Sequence, residues 1–105
     1  AAAQAYAKSQ MSRYGWDSDG ADWSDLVSLW NQESGWSNTA QNPSSGAYGI
    51  PQALPYTKMP KAAWPPSAGG TSDTESQIDW GLEYIQDTYG SPQMAWAHEQ
   101  ANDWY

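Results

Sequence analysis

Apolar residues recur at helical spacing in four stretches of the chain and lose that period between residues 37 and 71. In Asp22 to Trp36 the apolar positions are Trp23, Leu26, Val27 and Trp30, which share one helix face. Asp22 suits the N-cap of this helix and Gly35 its C-terminal stop. Glu33 continues the stripe. It lies three residues after Trp30, four after Leu29 and seven after Leu26, so the pattern carries a carboxyl group onto the face that meets the core. Ala3, Ala7, Met11 and Tyr14 mark a packing helix within residues 1 to 15, ended by Gly15. Ser72-Asp73-Thr74-Glu75 has capping-box spacing. Behind it Ile78, Leu82, Ile85 and Tyr89 form a stripe, with Trp80 and Tyr84 on an adjoining face, until Gly90 closes the helix. Ser91-Pro92 opens a last short helix carrying Met94, Ala95, Trp96 and His98.

The aperiodic middle predicts loops. Asn42-Pro43-Ser44-Ser45-Gly46 is a turn signal. In Ala47 to Pro55, Gly49 permits a close backbone approach, and Pro51 is expected in the first turn of a short helix that Pro55 ends. Gln52 is then presented beside a fixed backbone. Two roles compete for it: a solvated loop amide, or, with Tyr48, a hydrogen-bonding group at the edge of a cleft. Residues 56 to 71, with Pro60, Pro65, Pro66 and Gly69-Gly70, read as a long surface excursion in which Trp64 either plugs the core or stands in a groove. Asp103-Trp104-Tyr105 is too aromatic for a free linker and is expected to dock. The expected fold is mainly α with little or no β, one domain over residues 1 to 105.

Composition narrows the function. The 105 residues include no Cys and no Phe but eight Trp and seven Tyr. Such rings fill cores, and they also line sugar grooves, where a ring face packs on a pyranose. A formal net charge of -8 leaves only Lys8, Arg13, Lys58 and Lys61 to meet phosphates, which argues against nucleic acid and anionic membranes. Thiolate metal sites and Cys nucleophiles are excluded, and the lone His98 has no second His for a zinc site. Asp17-Ser18-Asp19-Gly20-Ala21-Asp22 superficially resembles a calcium loop, but its Gly comes too early and no closing Glu follows. No cofactor is expected. No run is apolar enough to span a bilayer and no signal peptide is visible; a start at Ala1-Ala2-Ala3-Gln4 without Met fits a processed or excised product.

A carboxyl group on a Trp/Leu-lined face is partly desolvated, which raises its pKa and lets it hold a proton near neutral pH. Glu33 is therefore a candidate general acid. The competing reading is a packed stem with a solvated head.

The residues resemble a known family. Glu33-Ser34-Gly35-Trp36, Asn42-Pro43-Ser44-Ser45-Gly46-Ala47-Tyr48-Gly49-Ile50-Pro51-Gln52-Ala53-Leu54-Pro55, Trp80-Gly81-Leu82-Glu83-Tyr84-Ile85 and Tyr89-Gly90-Ser91-Pro92 look like the lysozyme-like soluble lytic transglycosylase domain. More narrowly, they look like its compact form in secreted proteins of high-GC Gram-positive bacteria, related to resuscitation-promoting factors. The resemblance implies a small lysozyme-like fold of the goose-type lysozyme/transglycosylase kind with a substrate cleft. It implies Glu33 as catalytic acid/base and Ser34 as a hydroxyl that holds the acid or substrate. Tyr48, Gly49 and Gln52 would contact N-acetyl sugars, and Tyr84 and Trp96 would also bind substrate. Ala95-Trp96 falls where larger relatives have Ala-Tyr-Asn; here the Asn is absent and Ala97-His98 follows. Compact relatives commonly pair a Cys near Asp25 with one near Gln93, so in this chain any staple between those helices is noncovalent.

The implied partner is a peptidoglycan glycan strand, bound by a secreted or cell-wall-associated monomer. Glu33 would protonate the bridging oxygen of the β-1,4 bond after MurNAc and then deprotonate that sugar's 6-hydroxyl, giving a 1,6-anhydro ring. A hydrolytic muramidase or chitinase would need a second carboxylate, for which Asp79, Glu83 and the acids of residues 17 to 25 are candidates. A noncatalytic glycan-binding module and a purely structural domain are the alternatives of other classes.

Overall fold

A computed structural model describes residues 2 to 105; Ala1 lies outside the described residues. Four α-helices carry the described residues: α1 Ala2–Gln10, α2 Ala21–Ser34, α3 Thr74–Tyr89 and α4 Pro92–Asn102. Met11–Tyr14 extends α1 as a 3-10 turn, and three more such turns, Tyr56–Lys58, Lys61–Ala63 and Pro66–Ala68, punctuate the Pro-rich excursion. Among the described residues extended pairing is limited to isolated bridges, Gln41 with Tyr48 and Tyr48 with Ala53. The mainly α expectation holds.

The stops sit where glycine permits a left-handed backbone: Gly15 at φ 76° and Gly35 at φ 62°. Two of the expected starts are displaced. α2 is capped by Gly20 without a side-chain bond, and Asp22 lies in the first turn, where its charge meets the positive helix end. Asp22 Oδ1 also accepts the Gln93 N–H at 3.4 Å, a long noncovalent link between the starts of α2 and α4. α3 is capped by Asp73, which accepts the Ser76 N–H at 3.0 Å and the Ser76 hydroxyl at 2.6 Å. The capping box is thus one residue out of register, because Ser72 is buried and its hydroxyl is engaged by Tyr48.

The expected short helix at Pro51 is absent. Gly49 at φ 79° and Gln52 at φ 57° are left-handed, which an α-helix cannot accommodate. Instead Tyr48 and Ala53 exchange backbone hydrogen bonds of 3.1 and 3.0 Å, folding residues 48 to 53 into a closed turn.

Most of the core lies between the helices. Ala7 and Met11 follow α1; Leu26, Leu29 and Trp30 come from α2, Ile78, Leu82 and Ile85 from α3, and Ala95 from α4. A smaller cluster under the excursion joins Tyr48, Ala53, Met59 and Ala63, with Tyr56, Trp64 and Trp80 against it. Trp64 plugs this cluster, its indole N–H donating to the Met59 carbonyl at 2.9 Å. On α4 the inward face is Pro92, Ala95 and Glu99, whereas Met94 is 60% exposed.

Gly81 sets how closely α3 approaches α2. A Cβ there would lie 2.6 Å from Trp30 Cζ2 and 3.0 Å from Pro51 Cβ, and Trp30 is fully buried with no room to yield. Gly81→Ala is expected to cost about 1–3 kcal/mol of stability from overpacking, outweighing the gain of about 1 kcal/mol in helix propensity. A lowered urea midpoint with an unchanged slope would show it; a raised midpoint would mean that the contact relaxes.

Candidate active site

The C-terminal turn of α2, the 42-to-58 loops, the middle of α3 and the C-terminal segment enclose a cleft of about 680 Å³. Glu33, Pro51, Gln52, Trp80, Tyr84, Glu99 and Tyr105 are among its walls, with Lys58 as the cation among them. A second depression of about 230 Å³, lined by Trp80, Glu83, Tyr84 and Asp87, adjoins it across the stacked Trp80 and Tyr84 rings, whose centroids are 5.2 Å apart.

Glu33 reaches the cleft because the stripe of α2 turns inward at Leu29 and Trp30 and the helix ends at Gly35 just beyond the acid. Its carboxyl group is half-buried, and burial is the main reason its pKa is pushed up to about 8. The remaining cause is the Glu99 carboxyl, a hydrogen-bonding neighbour of like charge. Glu99 is 1% exposed. Its Oε2 accepts from Gln32 Nε2 at 2.9 Å.

The C-terminal segment is held against the cleft by a polar relay. The Trp30 indole N–H donates to the Tyr105 hydroxyl at 3.0 Å, and that hydroxyl donates to the Pro51 carbonyl at 2.7 Å. Tyr105 also meets Tyr84 edge-on at 5.6 Å between centroids. The C-terminal segment therefore docks through Tyr105, while Trp104 stays 60% exposed. His98 supports it, with Nδ1 2.9 Å from the Trp104 carbonyl oxygen.

Of the residues singled out from the sequence, Glu33, Gln52 and Tyr84 come together in the cleft. Gln52 spends both amide protons on the Ala40 and Gly49 carbonyls, at 3.0 and 2.9 Å, leaving its side-chain carbonyl as an acceptor. Ser34, Tyr48, Gly49 and Trp96 are not among the cleft-lining residues. The Ser34 hydroxyl donates to the Ile50 carbonyl at 2.7 Å, so it ties the end of α2 to the loop rather than holding the acid. Tyr48 is 3% exposed and pairs with Ser72. Gly49 presses on Gln77: a Cβ there would fall 2.5 Å from Gln77 Oε1. Trp96 packs against the main core.

The candidates for a second carboxylate also lie elsewhere. Asp79 accepts the Tyr6 hydroxyl at 2.7 Å, Glu83 lines the side depression, and the acids of residues 17 to 25 are at the far end of α2 or before it. Glu99 takes the place beside Glu33. The signal for it was present, since Glu99 follows Ala95 by four and Pro92 by seven on one helix face. Among the described residues no cluster of three or more His, Asp or Glu side chains could hold a metal ion.

A family model, the transglycosylase SLT domain, matches residues 5–101. The chain belongs to this family. No curated protein and no solved structure matches it. Membership makes this a small lysozyme-like SLT domain and implies lytic transglycosylase activity on peptidoglycan. The SLT cleft is lined by the aromatic Trp80, Tyr84, Trp104 and Tyr105 and by the acidic Glu33, Glu99 and Asp103. No described helix of the domain is long and apolar enough to cross a membrane.

Proposed function

We propose that the protein cleaves the β-1,4 bond between MurNAc and GlcNAc in peptidoglycan by intramolecular transglycosylation, with Glu33 as acid and then base. The observation that carries this is one half-buried carboxyl group, with its pKa raised to about 8, at the wall of a sugar-sized cleft. Glu33 gives its proton to the bridging oxygen as the bond to C1 breaks. The resulting carboxylate takes the proton of the same sugar's 6-hydroxyl while O6 bonds to C1, so the acid is regenerated and no water is consumed. Gln52 and the Trp80–Tyr84 platform are proposed to seat the sugars on either side.

Glu99 does not favour hydrolysis. Carboxyl groups that flank a sugar are about 5–5.5 Å apart in retaining enzymes and about 6.5–9.5 Å in inverting ones. A buried Glu99 in hydrogen-bonding reach of Glu33 leaves no room for a sugar or an attacking water between them. The compact subtype related to resuscitation-promoting factors, a secreted or cell-wall location and a monomeric state are part of the same proposal, supported by the Glu33-Ser34 and Gly49-Ile50-Pro51-Gln52 motifs. Mass spectrometry of soluble products from purified peptidoglycan tests the chemistry. Products one water lighter than hydrolytic fragments are expected; reducing-end fragments would make the protein a muramidase.

A further inference from the structure

Burying a carboxyl group is costly unless its oxygens find donors. Glu99 finds one. Gln32 satisfies Oε2, while Oε1 is buried with no hydrogen-bond partner. The neighbour in hydrogen-bonding reach is the Glu33 carboxyl, which can donate only when it carries a proton. Two carboxylates side by side would leave both acceptors unmatched; one proton between them satisfies the pair.

We propose that Glu99 is a positioning residue for Glu33: anchored by Gln32, it shares a single proton with the cleft-facing acid and so keeps that acid charged with a proton between turnovers. Its part in turnover rests on the transglycosylase reading above, whereas the shared proton does not. When Glu33 protonates the leaving 4-oxygen, the pair is left with no proton and two adjacent negative charges. That repulsion makes Glu33 a stronger base toward the 6-hydroxyl, whose proton then restores the pair to its starting state. Glu99 is 1% exposed at the cleft wall, so it acts through Glu33 rather than on the sugars.

The titratable groups around the pair are few. From α3, Tyr84 and Tyr89 face it, and from the C-terminal segment Tyr105; burial pushes Tyr89 up to about 12 and Tyr105 well above the usual phenol range. Asp103 and Lys58 line the cleft with exposed side chains, and His98 on α4 is turned to Trp104. The proton is therefore best followed at the carbon of each carboxyl group, where His98 does not intrude.

The test is a carbon-13 NMR titration of the Glu33 and Glu99 side chains in the whole chain. In the native protein the Glu33 midpoint is expected near pH 8, with the Glu99 carbon reporting the same step. In Glu99→Gln the Glu33 midpoint is expected to fall by about one pH unit or more, and the alkaline limb of kcat/KM to move with it. Glu99→Asp should restore part of the shift. An unmoved Glu33 midpoint in a folded Glu99→Gln would overturn the proposal. Should that variant not fold, a native Glu33 that titrates in the ordinary carboxylate range, or a Glu99 carbon blind to the Glu33 step, overturns it equally. If the native protein releases no glycan products yet both carbons report the shared step, the transglycosylase reading fails and the shared proton stands.

Discussion

Glu33→Gln is expected to slow glycan cleavage by about 10²–10⁴-fold, the range for removing a positioned acid/base, while leaving the fold intact. Gln matches Glu in shape, and the carboxyl group lies at the cleft wall rather than in the apolar core, so the loss reports chemistry and not packing. Comparing initial rates of product release for the two proteins checks it, and near-equal rates would remove Glu33 from the mechanism. The same variant carries a stability signature whose sign follows from burial. The folded pKa of Glu33 is raised from 4.5 to about 8, so the fold favours the protonated form. Its stabilising contribution is therefore complete below pH 4.5 and is lost as pH rises toward 8, because the unfolded chain ionises first. Gln does not titrate. Urea midpoints at pH 5 and pH 8 should differ more for the native chain than for Glu33→Gln; an equal or larger difference in the variant would contradict the raised pKa.

Gln77→Leu is expected to have the largest effect on stability. Gln77 is fully buried on α3 and bridges three loops: Oε1 accepts the Ile50 N–H at 2.9 Å, and Nε2 donates to the Asn38 and Ala63 carbonyls at 2.9 and 3.1 Å. Leucine fills similar space but leaves three backbone groups without partners. At about 1–3 kcal/mol for each unsatisfied group, the loss is about 3–9 kcal/mol. That is comparable with the whole stability of a domain this size, about 5–15 kcal/mol. The variant should be largely unfolded, or melt far below the native chain with its cleft loops released first. A circular-dichroism melt within a few degrees of native would show that water or a loop shift replaces the amide.

How much of this was legible in the sequence varies with the range of the interaction. Glu33 could be found from its place on a helical stripe, because a period of 3.6 residues decides locally which side chains face inward. Leu82 and Ile85 on α3, and the glycine stops at 15, 35 and 90, were readable for the same reason. The caps were off by a residue or two because Gly20 and Asp73 were selected by where the chain arrives, and Ser72 was drawn inward by Tyr48. The loop from 48 to 53 misled more. Pro51 suggested a helix start, but the left-handed Gly49 and Gln52 and the bond from Ile50 to Gln77 hold a closed turn.

By itself the sequence determined a mainly α chain, an acid on the inner face of its second helix, and the motif resemblance to the family that the match over residues 5–101 establishes. Tertiary structure alone decided which groups surround that acid. Glu99 is 66 residues from Glu33 in the chain and Tyr105 is 75 from Trp30, and no local period relates positions so far apart. Their meeting depends on the packing of α2 against α4 and on the docking of the C-terminal segment, and the raised pKa of Glu33 comes from that burial and that neighbour.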